Sequence, residues 1–127
     1  MEAVNIEAAL KGVRFLRGRR PESDTSGAFA ELGRLGEAGI FAGGFAGESA
    51  WERHRSGDEL VHVLGGAATL TILDPGGEEI LEMGAGTLAV VPRGRWHRFH
   101  APEGVTLMTV TPPPTDHSLA ADPREEG

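Results

Sequence analysis

The chain has 127 residues, a formal net charge of −7 and no cysteine. That length fits one ordinary domain, and the lack of thiols excludes disulfides, thiolate metal sites and cysteine catalysis. The acidic balance argues against DNA or RNA as a partner, since nucleic-acid affinity depends on neutralising phosphates with Lys and Arg.

In chain order, Asn5 to Lys11 predicts a short helix. Asn5 suits the N-cap, Glu7 sits in the first turn and Gly12 follows as a stop. Ile6 and Leu10, four apart, would pin it to its neighbours. Val13, Phe15 and Leu16 read as a short strand, and Arg17 to Gly27 as a polar, turn-rich loop. Ala28 to Leu35 fits helical spacing at Phe29, Leu32 and Leu35, while its glycine favours strand at the C-terminal part. Gly36 to Gly39 makes a hairpin turn into a strand marked by Ile40, Phe41 and Phe45, with Gly43-Gly44 weakening or bulging it.

Trp51 to Arg55 reads as the next strand, Ser56-Gly57-Asp58 as a turn, and Glu59 as the first residue of a further strand. Strand side chains alternate faces, so Glu52 shares a face with His54, and Glu59 with Val61 and Val63. If these two strands pair, Glu52, His54 and Glu59 point at one spot. Ionisable groups are seldom buried without partners, and a metal ion supplies the charge that a buried carboxylate needs.

Ala67 to Leu73 is a strand, Asp74-Pro75-Gly76-Gly77 a turn, and Glu78 to Leu81 the returning partner. Leu88 to Val91 forms a strand before the turn Pro92-Arg93-Gly94, and His97 stands just after it, where a hairpin brings it beside Glu59. Val105 to Val110 is the last strand, ended by Pro112-Pro113-Pro114. Asp116 to Gly127 is polar and expected to be poorly ordered. The 39% apolar content, 19 glycines and 8 prolines suit many short strands joined by tight turns.

Two stretches resemble the paired motifs of the cupin superfamily. Glu52-x-His54-x4-Glu59-x6-Gly66 follows the first motif, and Gly86-x5-Pro92-x-Gly94-x2-His97-x3-Ala101 the second. Three positions depart from the pattern. Glu52 replaces a histidine found in many metal-binding members, Ala101 replaces a common asparagine, and Gly47 lies one residue closer to Glu52 than the family spacing. The resemblance implies an all-β fold: an antiparallel jelly-roll (double-stranded β-helix) barrel with the short helix at its N-terminus. The expected division is 1–27 for helix, short strand and loop, 28–114 for the barrel, and 115–127 for a disordered polar tail. Small members of this kind are often homodimers, and the same is expected here.

The resemblance carries metal roles onto His54, Glu59 and His97, with Glu52 as a fourth candidate. Two histidines and one carboxylate suit a divalent metal ion such as Fe, Mn, Ni or Zn and leave coordination positions open. Glu52 is either a ligand or a general base beside the metal; the alternative for all four residues is a metal-free polar cluster. The implied function is a metal-dependent enzyme of oxygenase, isomerase or lyase type acting on a small polar or anionic molecule. The competing reading is a non-enzymatic binding or sensor module.

Arg53, Arg55, Arg93, Arg95 and Arg98 flank both motifs, as a basic rim drawing in an anion or as a solvated surface. Alternation sets His62 and His100 away from the ligand face, and His117 is expected in solvent. Trp51 and Trp96 are read as packing outside the barrel, at a dimer interface, or as closing the mouth of its pocket. No apolar run nears the ~20 residues of a membrane span, and no basic region leads into an apolar core as in a secretory signal; the expected location is cytoplasmic.

Overall fold

The computed structural model describes residues 2–126. Helix α1 (Ile6–Lys11) is capped as its sequence predicts: Asn5 Oδ1 accepts a 2.9 Å hydrogen bond from the Ala8 amide, and Gly12 closes the C-terminal end. Ile6 and Leu10 are half-buried. Nine strands follow: β1 (Leu16–Arg19), β2 (Phe29–Leu35), β3 (Ala38–Glu48), β4 (Trp51–His54), β5 (Glu59–Asp74), β6 (Gly77–Gly84), β7 (Leu88–Val91), β8 (His97–Thr111) and β9 (Thr115–Ser118). A 3-10 turn over Pro123–Glu126 ends the described chain.

The strands form one curled sheet of jelly-roll type. β8 is its hub: it pairs antiparallel with β3, β4 and β5. β5 also holds β6 and β7, and β3 holds β2. The ambiguous stretch around Phe29 to Leu35 is therefore strand throughout, since β3 offers it a full antiparallel partner.

Alternation along β5 shows how the interior is filled. Glu59, Val61 and Val63 are buried, and beyond Gly65-Gly66 the buried positions become Ala68, Leu70 and Ile72. The register with β8 slips at Gly65-Gly66, and an inserted residue reverses which parity faces inward. Gly66 has φ +70°, and a side chain there would run into the Gly104 carbonyl; only glycine meets both demands. The core of Phe45, Val61, Val63, Leu70, Val105 and Leu107 lies inside the sheet, with Phe45 and Phe99 edge to face at 6.2 Å.

Three expectations need correction, and a fourth is decided between its alternatives. The first strand is not Val13–Leu16 but Leu16–Arg19. Its register comes from pairing parallel to β3, Leu16 with Phe45 and Arg19 with Gly47, a tertiary constraint with no local apolar signature. β4 does not pair with β5; it lies between β8 and β9, so His54 and Glu59 meet across the curl of the sheet. Of the segment expected as a disordered tail from Asp116, residues 116–126 are instead ordered; Gly127 lies outside the described residues. β9 takes the free edge of β4, Ser118 and Pro123 are buried, and Arg124 donates to the Asp74 and Gly77 carbonyls at 2.6 and 2.9 Å. Trp51 and Trp96 pack with Leu73 in a separate cluster outside the main core, as the packing reading held. They are 4% and 7% exposed within the chain, so no partner is needed to cover them.

Candidate metal centre

His54 ends β4, Glu59 begins β5 and His97 begins β8. The turns beside them are tied together: the Gly94 amide donates to the His54 carbonyl at 2.9 Å, and the Arg93 amide to Asp58 Oδ1 at 2.8 Å. These bonds lock the loop between His54 and Glu59 onto the Pro92–Gly94 turn that precedes His97. All three side chains are buried, at 2%, 5% and 1% exposure, and one ligand atom from each lies within 4.8 Å of the others.

The hydrogen bonds set the chemistry of the cluster. His97 Nδ1 is 3.1 Å from the Arg95 carbonyl, which can only accept, so this nitrogen carries its proton. His97 Nε2 then faces Glu59 Oε1 at 3.0 Å. His54 Nδ1 shares a 3.0 Å hydrogen bond with the Thr115 hydroxyl, and its Nε2 lies 3.3 Å from Glu59 Oε2 without hydrogen-bond geometry. Thr111 donates to the same Oε2 at 2.6 Å, and Thr109 bonds Thr111 at 2.8 Å.

An imidazole lone pair and a carboxylate oxygen at this separation repel unless a cation lies between them. In the metal-free protein that cation is a proton. Burial alone would raise the Glu59 carboxyl, but the His54 and His97 imidazoles outweigh it and bring it down to about 2. Burial likewise works against a charged His97, yet the Glu59 carboxylate raises its pKa. A divalent ion bound there would also engage His54 Nε2, which is buried without a hydrogen-bond partner. The outer nitrogens are oriented by a carbonyl and a hydroxyl, the arrangement metal-ligating histidines need.

The cluster stands at the edge of a cavity of about 320 Å³ lined by Glu59, Glu52, Phe45, Phe99, Thr109 and Arg19, among others. Glu52 faces this cavity but is not among the three groups that converge. His62 is half-buried on the outer face and His100 is exposed, as alternation predicts. His117 is exposed too, yet it also lines the cavity, paired across β9 with Glu52.

None of the five arginines proposed as a basic rim lines this cavity. Arg53 and Arg55 bind Asp116 at 2.9 and 2.7 Å, Arg95 pairs with Asp74, and Arg93 donates to the Arg55 carbonyl at 2.9 Å. Arg98 lies 3.7 Å from Glu48 and over the Trp51 ring, and Arg53 covers Trp96. These guanidiniums lie on the outside of the sheet, and alternation sets Arg53 and Arg55 there, opposite His54.

Sequence reasoning missed Arg19, Thr111 and Thr115. Thr109 and Thr111 continue the inward alternation of Leu107 and were legible in principle. Thr115 lies beyond three prolines, where no pattern announces a strand.

Comparison with known proteins bears on the fold. The Cupin domain family matches residues 42–113. A cupin-2 domain protein of Shewanella frigidimarina is 22% identical with a TM-score of 0.59, over 68% of this chain and 80% of that one. A hydroquinone 1,2-dioxygenase of Sphingomonas, solved with 4-hydroxybenzoate bound, is 18% identical with a TM-score of 0.55, over 70% and 65%. The oxalate decarboxylase of Bacillus subtilis, studied for its Mn(II) centres, is 13% identical with a TM-score of 0.61, over 78% of this chain and 30% of that one. Among curated proteins none matches. With more than half its length matched and both motifs meeting at one buried cluster, this chain belongs to the cupin family.

Proposed function

We propose that this protein is a metal-dependent enzyme in which His54, Glu59 and His97 hold one divalent ion, Fe, Mn, Ni or Zn, beside a small-molecule cavity. The observation that carries the reading is the buried His/Glu/His cluster, in which His54 Nε2 lies beside Glu59 without a hydrogen-bond partner. The likeness to a dioxygenase and to a decarboxylase studied for Mn(II) centres supports it at the level of fold. When bound, the ion would act as a Lewis acid or bind O₂, with coordination positions left for a ligand.

The protein's own residues have distinct tasks. Thr111, Thr115 and the Arg95 carbonyl orient the three ligands. Phe45 and Phe99 keep part of the cavity wall apolar. Glu52 faces the same cavity outside the ligand group and is placed to accept a proton from a bound molecule. The chemistry is of oxygenase, isomerase or lyase type.

Elemental analysis of untagged protein, beside a His54→Ala variant, tests this. Near-stoichiometric metal that disappears in the variant is the expected result. No metal in either protein after reconstitution would leave a proton-bridged polar cluster and move the protein to the binding-module class.

We further infer a homodimer. Leu88 and Val90 stand 60% and 53% exposed on the outer face of β7, two large apolar side chains that a second copy would cover. Sedimentation of wild type and Leu88→Lys tests it: a dimer reduced to monomer is expected, and a monomeric wild type would refute it.

A further inference from the structure

We propose that Arg19 is the anchor for a carboxylate on the ligand, so that the molecule this cavity accepts is a small carboxylic acid with an apolar, aryl-sized body. This rests on the reading of the cavity as a ligand site and adds the class of ligand.

Arg19 lines the cavity, and its Nε is buried without a hydrogen-bond partner. No ion pair or hydrogen bond reaches its guanidinium among the described residues. Burial draws its pKa below the ordinary value, with the charge of Glu52 opposing. Arginine stays charged in proteins, and a buried charge without a partner is costly.

The group is held in place all the same. Its guanidinium lies 4.5 Å from the centre of the Phe45 ring and 5.8 Å from that of Phe29. Both rings line the same cavity. Stacking on a ring uses the face of the guanidinium and leaves its edge, where the N–H donors match a carboxylate in bidentate fashion.

The backbone beneath is fixed as well. Arg19 pairs with Gly47, which has φ +123°, and any Cβ at Gly47 would strike the Arg19 backbone. Phe41, Phe99 and Leu107 make part of the remaining wall apolar and give the body of the ligand its surroundings, while Glu52, Glu59 and four threonines are among the residues lining the rest. A volume of about 320 Å³ is at the small end of ligand cavities. The outer arginines already have partners, which leaves Arg19 as the cation facing this space.

Isothermal titration of benzoate and of benzamide, its neutral analogue of similar shape, tests the anchor. Wild type, Arg19→Gln and Arg19→Lys are compared, each with its metal content and melting temperature measured, before and after chelation. Wild type should bind benzoate about 10-fold or more tightly than benzamide, as expected for a charge-assisted pair. Arg19→Gln should bring that ratio near one with metal content unchanged, and Arg19→Lys should keep an intermediate preference. Equal binding of the two probes to wild type, an unchanged ratio in Arg19→Gln, or no binding of either probe would each overturn the proposal. A benzoate preference that depends on Arg19 in protein that never takes up metal would sustain the anchor while refuting the metal centre.

Discussion

Thr111 Oγ1 donates a 2.6 Å hydrogen bond to Glu59 Oε2, which leaves Oε1 to face His97. The carboxylate is thus oriented by a hydroxyl from the far end of the strand that His97 begins. Thr111→Val keeps the shape and removes the donor. Metal affinity should fall about 10- to 100-fold, the usual effect of losing a group that orients a ligand. Competition with a chelating dye measures it, and an unchanged affinity would show that packing alone holds Glu59.

Glu59 and His62 are three residues apart on β5 but face opposite sides of the sheet. Glu59→Gln removes the charge between two imidazoles, whereas His62→Gln alters a half-buried outer position. The first variant should lose nearly all bound metal and the second none, by elemental analysis. Equal losses would overturn the assignment of faces.

The metal-free protein should be most stable in mildly acidic solution. Glu59 titrates at about 2 in the folded chain, against ~4.3 unfolded, so its contribution is complete above ~4.3 and is lost as pH falls toward 2. His97 is raised above its ordinary ~6.5, so its contribution is complete below that value and is lost as pH rises through the folded pKa. Between those limits both are present. Melting temperatures of chelated protein at several pH values should peak there, and Glu59→Gln should flatten both sides of the peak. A variant whose pH profile matched wild type would refute the linkage.

Gly66→Ala should destabilise the fold by about 1–3 kcal/mol, the range for a side chain forced into a left-handed conformation. Its φ of +70° and the Gly104 carbonyl beside it both oppose a Cβ. Denaturant unfolding gives the value. A neutral result would mean that β5 can carry its bulge elsewhere.

The resemblance and the alternation rule made His54, Glu59 and His97 legible, because each sits inward on a strand next to a recognisable turn. Those rules also set Arg53 and Arg55 correctly on the other face. What was not legible depended on partners remote in sequence. Arg17-Gly18-Arg19 has no strand pattern and is a strand only because β3 offers its edge. Thr115 and His117 belong to a segment whose polarity suggested disorder, yet the open edge of β4 and the charges on Arg53 and Arg55 recruit it. Glu52 was legible as a cavity residue, though its place outside the converging group followed from geometry that spacing does not encode.

The central position of β8 also governs how the protein is made. Its pairings join residues as distant as Gly39 and Thr111, and β4 is completed by residues 115–118. Such long separations slow folding, since each closure orders much chain before any contact rewards it. Thr111 and Thr115 leave the ribosome long after Glu59 and His54, the residues that they orient. Glu59 and His54 therefore gain these two partners only after residue 115 has been made, well behind the strands that carry them.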